Sequence, residues 1–361
     1  MVKAETARNE KRETPLFTPI NFEKRETTMT KRFAMSVFAA LLSASALSAA
    51  DNILVASSSS HTIEEFSPTG AWMRTFATTG GYAPVAIAQS PLTGELFVTV
   101  EIPSGDSNHI LRYHADGTFD ANWDTFTVTC ENCGGGDTES MLFNSEGDLY
   151  VATHYGGAAG YAVNIYKYLA ADLEQANPQQ WPAVIATGMI RGDQMAFRSA
   201  SEICIAGFID EDVKCFNIYS GVQTADYSAE IHASKVSPII EPGGLAFDSA
   251  GRMYLTSVFG GQVAREVAPG GPIVQLAQVA SAPVELDGNL VLMGNTLYTT
   301  TYSTSPATPG TPDSLVAIST TTGAVTPLIS GSAAPNLGSA HLWGAYNILF
   351  VASQPLVKPL Q

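Results

Sequence analysis

One sequence pattern recurs roughly every fifty residues along this chain, and a repeat of that length is typical of β-propellers and solenoids. Its clearest copy is EPGGLAFDSAGRMYLTS at residues 241–257. The copy contains a Gly-rich entry, an apolar strand, a polar turn that ends at Gly251, and a second strand rich in β-branched and aromatic residues. The repeat therefore predicts an all-β fold that is built from many copies of one antiparallel unit.

The repeated strands predict six blades. Segments that match the first strand of the unit lie near residues 86, 141, 195, 245, 290 and 341. Segments that match the second strand lie near residues 53, 96, 149, 203, 253, 297 and 349. Six first strands favour a six-bladed β-propeller of four-stranded antiparallel blades, and seven blades are the alternative if the last blade is incomplete. A solenoid is disfavoured because neither end carries a polar capping repeat.

The two ends of the chain are predicted to complete one blade. A closed ring leaves no sheet edge that can pair with other chains, so the simplest arrangement joins N-terminal and C-terminal strands in one sheet. The segment near residue 341 is expected to be the innermost strand of this shared blade. One of the two second-strand matches at the chain ends is then an extra strand.

The N-terminal region has a different composition from the rest of the chain. Eight of the 18 Lys and Arg residues lie in the first 32 positions, and an apolar run that ends in small residues follows Arg32. This pattern predicts a signal peptide at 29–50 with cleavage near Ala50, and residues 1–28 are interpreted as an upstream extension or a misassigned start. A cytoplasmic extension with a short anchor is the alternative. We expect a secreted or periplasmic protein whose mature chain, 51–361, is one propeller domain without a membrane span.

Charge and composition limit the partners. The chain has a formal net charge of −16, with 45% hydrophobic and 14% charged residues. From Asp51 onward there are ten Lys and Arg against 29 Asp and Glu. A body this acidic is repelled by nucleic acid and by anionic membrane surfaces, and it offers carboxylates to divalent cations. The sequence has no P-loop, nucleophile elbow, dinucleotide fingerprint or zincin motif.

All four cysteines lie after the predicted signal peptide. Cys204 and Cys215 flank a predicted hairpin turn, and a hairpin centred there places them directly opposite each other, so we expect a disulfide. Cys130 and Cys133 form a CxxC in a Gly-rich loop. A second disulfide is favoured there over a redox pair or half of a zinc site, because no second CxxC or His pair lies nearby.

Strand direction predicts which residues surround the mouth of the central channel. In an antiparallel blade, the start of the first strand and the end of the second lie at the same end of the sheet. Aligned starts of the first strands carry carboxylates in three of six repeats, at Glu139, Asp193 and Asp287. Other residues aligned with the mouth are Glu101, His154, Tyr302, Ser339 and His341.

Three carboxylates on one axis repel one another unless a cation or shared protons intervene. Glu139, Asp193 and Asp287 are therefore predicted to bind Ca²⁺ or another divalent cation, since hard oxygen ligands suit these ions. The alternative is that the three acids form only the polar lining of a water-filled channel.

The segment PGGLAFDSAGRMYLTS is similar to the repeat of NHL-type propellers and to the blades of the regucalcin/gluconolactonase-like family. This resemblance implies a metal-dependent hydrolase of lactone-like or ester-like small molecules. The segments TESMLF around Glu139 and LDGNLVL around Asp287 resemble the family's acidic metal ligands, whereas Gly243 stands where the family has Asn. In such an enzyme the metal polarises the carbonyl, and His154 or a carboxylate is the general base. The alternative is a non-catalytic NHL-like propeller that binds an extracellular protein or a glycan through its loops.

Overall fold

Six antiparallel sheets follow one another along the chain. The computed structural model describes residues 52–101, 109–120, 133–157, 160–173, 185–234, 241–280, 284–286, 288–303, 313–330 and 344–351. The predicted upstream extension and signal peptide lie outside these residues. Among the described residues, no helix has the length and apolar character needed to cross a bilayer.

Each blade is one sheet of antiparallel strands. Blades one to three contain β1 (Asn52–Ser57), β2 (Thr62–Phe66) and β3 (Trp72–Thr78); β4 (Ala83–Gln89), β5 (Leu96–Glu101) and β6 (His109–Tyr113); and β7 (Cys133–Phe143), β8 (Leu149–Gly157), β9 (Gly160–Tyr168) and β10 (Ile185–Ala186). Blades four and five contain β11 (Gly192–Ser199), β12 (Glu202–Gly207), β13 (Asp212–Asn217) and β14 (Gln223–Asp226); and β15 (Pro242–Phe247), β16 (Met253–Ser257), β17 (Gln262–Glu266) and β18 (Ile273–Gln278).

Blade six has a divided innermost strand. Two short strands, β19 (Val284–Glu285) and β20 (Val291–Met293), both pair with β21 (Thr296–Ser303), and β22 (Ser314–Ser319) and β23 (Val325–Ser330) follow. The described residues include two short helices between strands, α1 (Ala170–Leu173) and α2 (Ser228–His232).

The last strand, β24 (Ala345–Val351), closes the ring. It pairs antiparallel with β1 and forms the innermost strand of blade one, which confirms that the two chain ends share a blade. The closing strand differs from the predicted one, because β24 contains the segment near residue 349 that matches a second strand. First and second strands carry the same apolar pattern, and pairing across the ring decides which position a segment takes. The segment near residue 341 lies outside the described residues.

Six hydrophobic clusters hold the blades together, one at each interface between neighbours. The cluster between blades one and two joins Leu54 and Ile63 to Val98, for example, and the cluster between blades six and one joins Leu315 to Ile53. Strands β1 and β5 are buried along almost their whole length, whereas the outermost strands β3 and β14 are mostly exposed. The weak apolar pattern of the outer strands reflects this exposure, and six interfaces confirm the six-bladed fold.

A glycine in the turn after β6 packs blade two closely against blade one. Gly117 has a φ of 92°, and a Cβ atom at this position would lie 2.2 Å from the carbonyl oxygen of Phe76 in blade one. Only glycine allows both this conformation and this approach. A Cβ atom at Gly70, after β2, or at Gly323, after β22, would approach a carbonyl oxygen of the preceding blade as closely.

The predicted disulfide between Cys204 and Cys215 is confirmed. The two residues are directly paired on β12 and β13, and both are fully buried. Cys130 lies outside the described residues, and only the backbone of Cys133 is described, at the start of β7. Their predicted disulfide stays a prediction.

Candidate functional site

The channel mouth is formed where the first strands begin and the second strands end. Backbone pairing joins Ala83 to Glu101, Gly192 to Gly207, and Pro242 to Ser257. The strand-direction argument from the sequence is therefore correct for these blades.

β-Bulges reshape the first strands just inside the mouth. The register shifts between Thr138 and Ser140 in β7, so Glu139 occupies the bulge. A similar shift between Gly192 and Met195 in β11 contains Asp193. A bulge redirects side chains relative to the regular pleat and is common beside functional sites. The two aligned acids thus occupy equivalent bulges in neighbouring blades three and four.

Arg191 joins these two acids. Its Nη2 lies 3.7 Å from Oε1 of Glu139, and its Nε lies 3.6 Å from Oδ1 of Asp193. Both carboxylates are buried, whereas one third of the arginine side chain is exposed. A guanidinium group is thus the cation that the described part of the site places beside the acids. The three groups carry a formal charge of −1.

The loop that contains Arg191 is hydrogen-bonded to the turn between β12 and β13. The carboxylate of Asp210 accepts hydrogen bonds from the backbone N–H groups of Ile190 (2.6 Å) and Arg191 (3.2 Å). The backbone N–H of Phe208 donates to the carbonyl of Arg191. The guanidinium carbon lies 4.9 Å from the centre of the Phe208 ring, which gives a cation–π contact. These contacts fix the backbone of the arginine and support its side chain from one side.

Hydrogen bonds between first strands support the floor beneath the two acids. Gln194 donates from Nε2 to the carbonyl of Glu139, and the hydroxyl of Ser140 accepts from the N–H of Met195. These bonds join blades three and four directly under the bulges. The two acids therefore lie on paired strands, which favours a fixed geometry.

In blades two and five, a threonine on the second strand makes the hydrogen bonds that join one blade to the next. The hydroxyl of Thr99 accepts from the N–H of Ala86 and donates to the carbonyl of Thr138 in the next blade. The hydroxyl of Thr256 likewise accepts from Gly244 and donates to Leu286. These bonds fix the bulges of blades two and five to the following blade.

The other predicted mouth residues are described in part or not at all. His154 lies within β8, opposite Asp137, rather than just after the strand, and only its backbone is described. Tyr302 pairs with Glu285, and again only its backbone is described. Glu101 is exposed at the end of β5. Asp287, Ser339 and His341 lie outside the described residues, so the predicted three-acid metal site stays a prediction.

A second group of possible metal ligands lies in blade two, at the end of its strands opposite Glu101. Glu95, His114 and Asp120 each offer a ligand atom, and these atoms lie within 4.8 Å of one another. Nδ1 of His114 is 3.5 Å from Oε1 of Glu95. Asp120 is also bound by Arg112, whose Nε and Nη2 both donate to Oδ2. Sequence spacing gave no indication of this group, because its members come from two separate turns.

Acidic residues on the mouth face of blades four and five are destabilised in their charged form. Burial raises the pKa of Asp212, although its ion pair with Lys214 opposes the shift. Burial, and to a lesser extent the charge of Glu211, raises the pKa of Glu241. A positively charged group bound at this part of the face would therefore stabilise the charged carboxylates.

A cavity of about 410 Å³ occupies the central channel. All six first strands contribute to its wall, which is mostly apolar. Its polar side chains include Gln89, Gln194, Asn289 and Asn347. Asn289 binds the backbone of Ile348 through both its Nδ2 and Oδ1 atoms, so this amide has a structural role across the junction of blades six and one.

Sequence reasoning identified Glu139 and Asp193 and missed Arg191. The sequence did contain one indication that Arg191 belongs to the site. It stands two residues before the aligned acid Asp193, in a region with few basic residues. The tripeptide Arg191-Gly192-Asp193 also spells an integrin-binding motif, but its acid is buried and lies beside the arginine. The contact with Glu139 in another blade could be seen only after folding.

Solved structures of low sequence identity have a similar fold. A protein of unknown function from Bacteroides caccae has 13% identity and a TM-score of 0.57, covering 83% of this chain and 98% of its own. A chain of a nidogen/laminin complex has 12% identity and a TM-score of 0.54, covering 84% and 99%. The PQQ-bound aldose sugar dehydrogenase of Streptomyces coelicolor has 15% identity and a TM-score of 0.52, covering 74% and 90%.

No protein-family model matches the chain, and no curated protein matches it. At identities this low the structural likenesses establish the fold and leave activity open. Together with the six sheets and their six interfaces, they identify the chain as a six-bladed β-propeller.

Proposed function

We propose that this chain is an exported propeller that binds a small polar molecule at Glu139, Arg191 and Asp193 and hydrolyses a lactone-like or ester-like bond there. The observation that carries the proposal is the position of Arg191 beside two buried carboxylates from neighbouring blades. Burying two acids is unfavourable unless they have a partner, and buried ionisable groups that converge at an opening often mark a functional site.

Each group has a chemical role in this proposal. The guanidinium donates hydrogen bonds to the carbonyl oxygen of the substrate and stabilises the negative charge that develops on it. A buried carboxylate, Glu139 or Asp193, accepts a proton from the attacking water and returns it to the ester oxygen as the acyl carbon–oxygen bond breaks. His154 is the alternative general base, because the sequence alignment places it at the channel mouth. In β8 it follows Thr153, which pairs with Thr138 beside Glu139.

A divalent cation is the other possible partner of the acids. Glu139 and Asp193 would hold it, with Asp287 as the ligand predicted from sequence, and it would polarise a substrate carbonyl. Calcium takes six to eight oxygen ligands. The described part of the site supplies two carboxylates and already places Arg191 beside both. The described residues therefore fit an arginine-centred site better than a calcium site.

Hydrolysis of a panel of lactones and aryl esters tests the proposal. Purified full-length protein is assayed with added Ca²⁺ and with chelator, beside the variants Glu139→Gln, Asp193→Asn and Arg191→Met. The matched control is Glu146→Gln, which changes an exposed acid in the turn between β7 and β8. We expect hydrolysis that the three site variants lose and the control keeps. Absence of hydrolysis across the panel, or equal rates in all variants, would overturn the proposal.

Export is part of the same proposal. A disulfide between directly paired strands is typical of proteins that fold in an oxidising compartment. The N-terminal sequence supports it, with an apolar run that follows Arg32 and ends at Ala50. N-terminal sequencing of protein recovered from the medium or periplasm should begin near Asp51. A product that retains residues 29–50 would contradict the predicted cleavage.

The alternative function, binding of an extracellular protein or glycan, has separate support. Large apolar side chains are exposed on the mouth face beside Arg191, among them Ile209 and Phe259. Exposed apolar groups that lie together often mark an interaction surface. Binding and hydrolysis use different residues of the same face, so each can be tested without the other.

A further inference from the structure

Four apolar side chains lie on neighbouring loops at the mouth face of blades four and five. We define this mouth-rim patch as Ile190, Phe208, Ile209 and Phe259. Ile190 is 40% exposed, Ile209 is 50% exposed and Phe259 is 49% exposed. The rings of Phe208 and Phe259 meet edge to face with their centres 5.3 Å apart, which joins the two blades. The patch thus combines three separate loops.

The loops under the mouth-rim patch are held in place. Asp210 binds the backbone of Ile190, and the backbone N–H of Val258, beside Phe259, donates to the carbonyl of Glu241. A surface that is already ordered loses little conformational entropy when a partner binds. Its exposed apolar side chains are therefore positioned for contact at low entropic cost.

Carboxylates surround the mouth-rim patch. Asp210 and Glu211 follow Ile209 directly, and Glu241 lies close enough to Glu211 for the charge of Glu211 to raise its pKa. Basic side chains near the patch contact acids. Lys214 pairs with Asp212, and His232 lies 3.5 Å from Glu211. Arg191, which stacks on Phe208, lies beside Glu139 and Asp193. The whole chain carries a net charge of −16. A positively charged partner would relieve this repulsion and would be attracted over a distance.

We propose that the mouth-rim patch docks a protein segment that presents Lys or Arg beside apolar side chains. The apolar groups of the segment cover the two phenylalanine rings and Ile209, and its cations contact Glu211 and Glu241. This inference rests on the binding alternative of the proposed function and does not depend on hydrolysis at Arg191. A polypeptide is favoured over a glycan because aliphatic and aromatic side chains together form the exposed surface.

Three short fluorescent peptides test the inference with the full chain. They are repeats of Lys-Leu-Gly, of Glu-Leu-Gly and of Lys-Ser-Gly, which separate the contribution of charge from that of apolar contact. Fluorescence anisotropy should show tightest binding of the Lys-Leu-Gly peptide. Its affinity should fall as NaCl is added, because screening weakens the contacts with Glu211 and Glu241.

Surface variants locate the binding. The double variant Ile209→Ser, Phe259→Ser should raise the Kd of the Lys-Leu-Gly peptide about tenfold or more. The matched control, Tyr219→Ser with Val222→Ser, removes two apolar side chains that are 65% and 62% exposed on another turn of blade four. The control should bind as the wild type does.

Equal peptide binding by the patch variant and the control would overturn the inference. So would equal affinity for the Lys-Leu-Gly and Glu-Leu-Gly peptides, or binding of glycans on an array while no peptide binds. Hydrogen exchange gives an independent readout, since bound peptide should protect the backbone N–H groups of residues 208–211. Thermal unfolding of each variant confirms that it is folded before binding is measured.

Discussion

Two groups of acids, at opposite ends of the blades, each contain an arginine, and the two arginines are held differently. In blade two, Arg112 donates to Asp120 at 2.8 Å through Nε and to the carbonyl of Leu173 at 2.6 Å, and its side chain is 6% exposed. At the channel mouth, Arg191 lies 3.6 and 3.7 Å from its acids and is one third exposed.

The difference separates a structural arginine from one available to a ligand. Hydrogen bonds in the blade-two group are short and involve a backbone carbonyl of the next blade, so the arginine fixes α1 against blade two. The mouth arginine has longer contacts and an open side, so it can turn toward a bound molecule at small cost. We therefore expect replacement of the arginine by methionine to change the free energy of unfolding differently in the two groups.

The largest expected effect is that of Arg112→Met. Removing one partner of a buried ion pair leaves Asp120 with an uncompensated charge, which typically costs about 3–5 kcal/mol of unfolding free energy. Arg191→Met should cost less, because its contacts of 3.6 and 3.7 Å are longer and its side chain is one third exposed, so water can take its place beside the two acids. Chemical denaturation of both variants measures the two values. Similar losses would remove the distinction between the two arginines.

Gly117→Ala tests whether the turn that carries His114 is a rigid part of the scaffold. The left-handed backbone and the 2.2 Å approach of a Cβ atom to Phe76 predict a loss of about 1–3 kcal/mol. Gly251→Ala is the matched control, because Gly251 has a φ of 80° with no neighbouring atom within 4 Å of its Cβ position. The control should lose about 1 kcal/mol. Equal losses would show that the contact between blades adds nothing.

Metal titration should sharpen the comparison further. If Arg191 neutralises Glu139 and Asp193, then Arg191→Met should bind Ca²⁺ about tenfold more tightly than the wild type, seen as a larger rise in Tm. Zn²⁺ should leave the Tm of the wild type unchanged, since Arg112 already binds Asp120 of the blade-two group. A larger calcium shift in the wild type than in Arg191→Met would favour the metal site predicted from sequence.

Glu241→Gln should give the smallest effect, and its sign is defined. A carboxyl group whose pKa is raised on folding binds protons more readily in the folded state, so wild-type stability gains as pH falls through the folded pKa. The variant should therefore have a slightly higher Tm than the wild type at neutral pH. The difference should vanish below pH 4.5, the ordinary pKa of Glu. A variant that is less stable than the wild type at neutral pH would contradict the raised pKa of Glu241.

Much of the scaffold could be predicted from sequence. Strands buried on both faces produce the apolar runs around residues 96, 203 and 253, and a hairpin turn between Cys204 and Cys215 fixes their pairing. The closing strand could not be identified, because β24 and a second strand have the same apolar pattern. Pairing with β1 depends on the closure of the whole ring.

The candidate site was predictable in part. Strand alignment placed Glu139 and Asp193 at equivalent positions, but it could not show the β-bulges that contain them. The contact of Arg191 with Glu139 joins residues 52 positions apart in sequence, across two blades. The long, flexible arginine side chain makes such a contact invisible to any local pattern.

A crystal structure of the protein soaked with the lactone that it hydrolyses fastest would show whether Arg191 binds the substrate. We expect the lactone at the channel mouth, with its carbonyl oxygen within hydrogen-bonding distance of the Arg191 guanidinium and its ring beside Glu139 or Asp193. A lactone bound in another cavity, or a metal ion between the two acids with Arg191 turned away, would contradict this expectation.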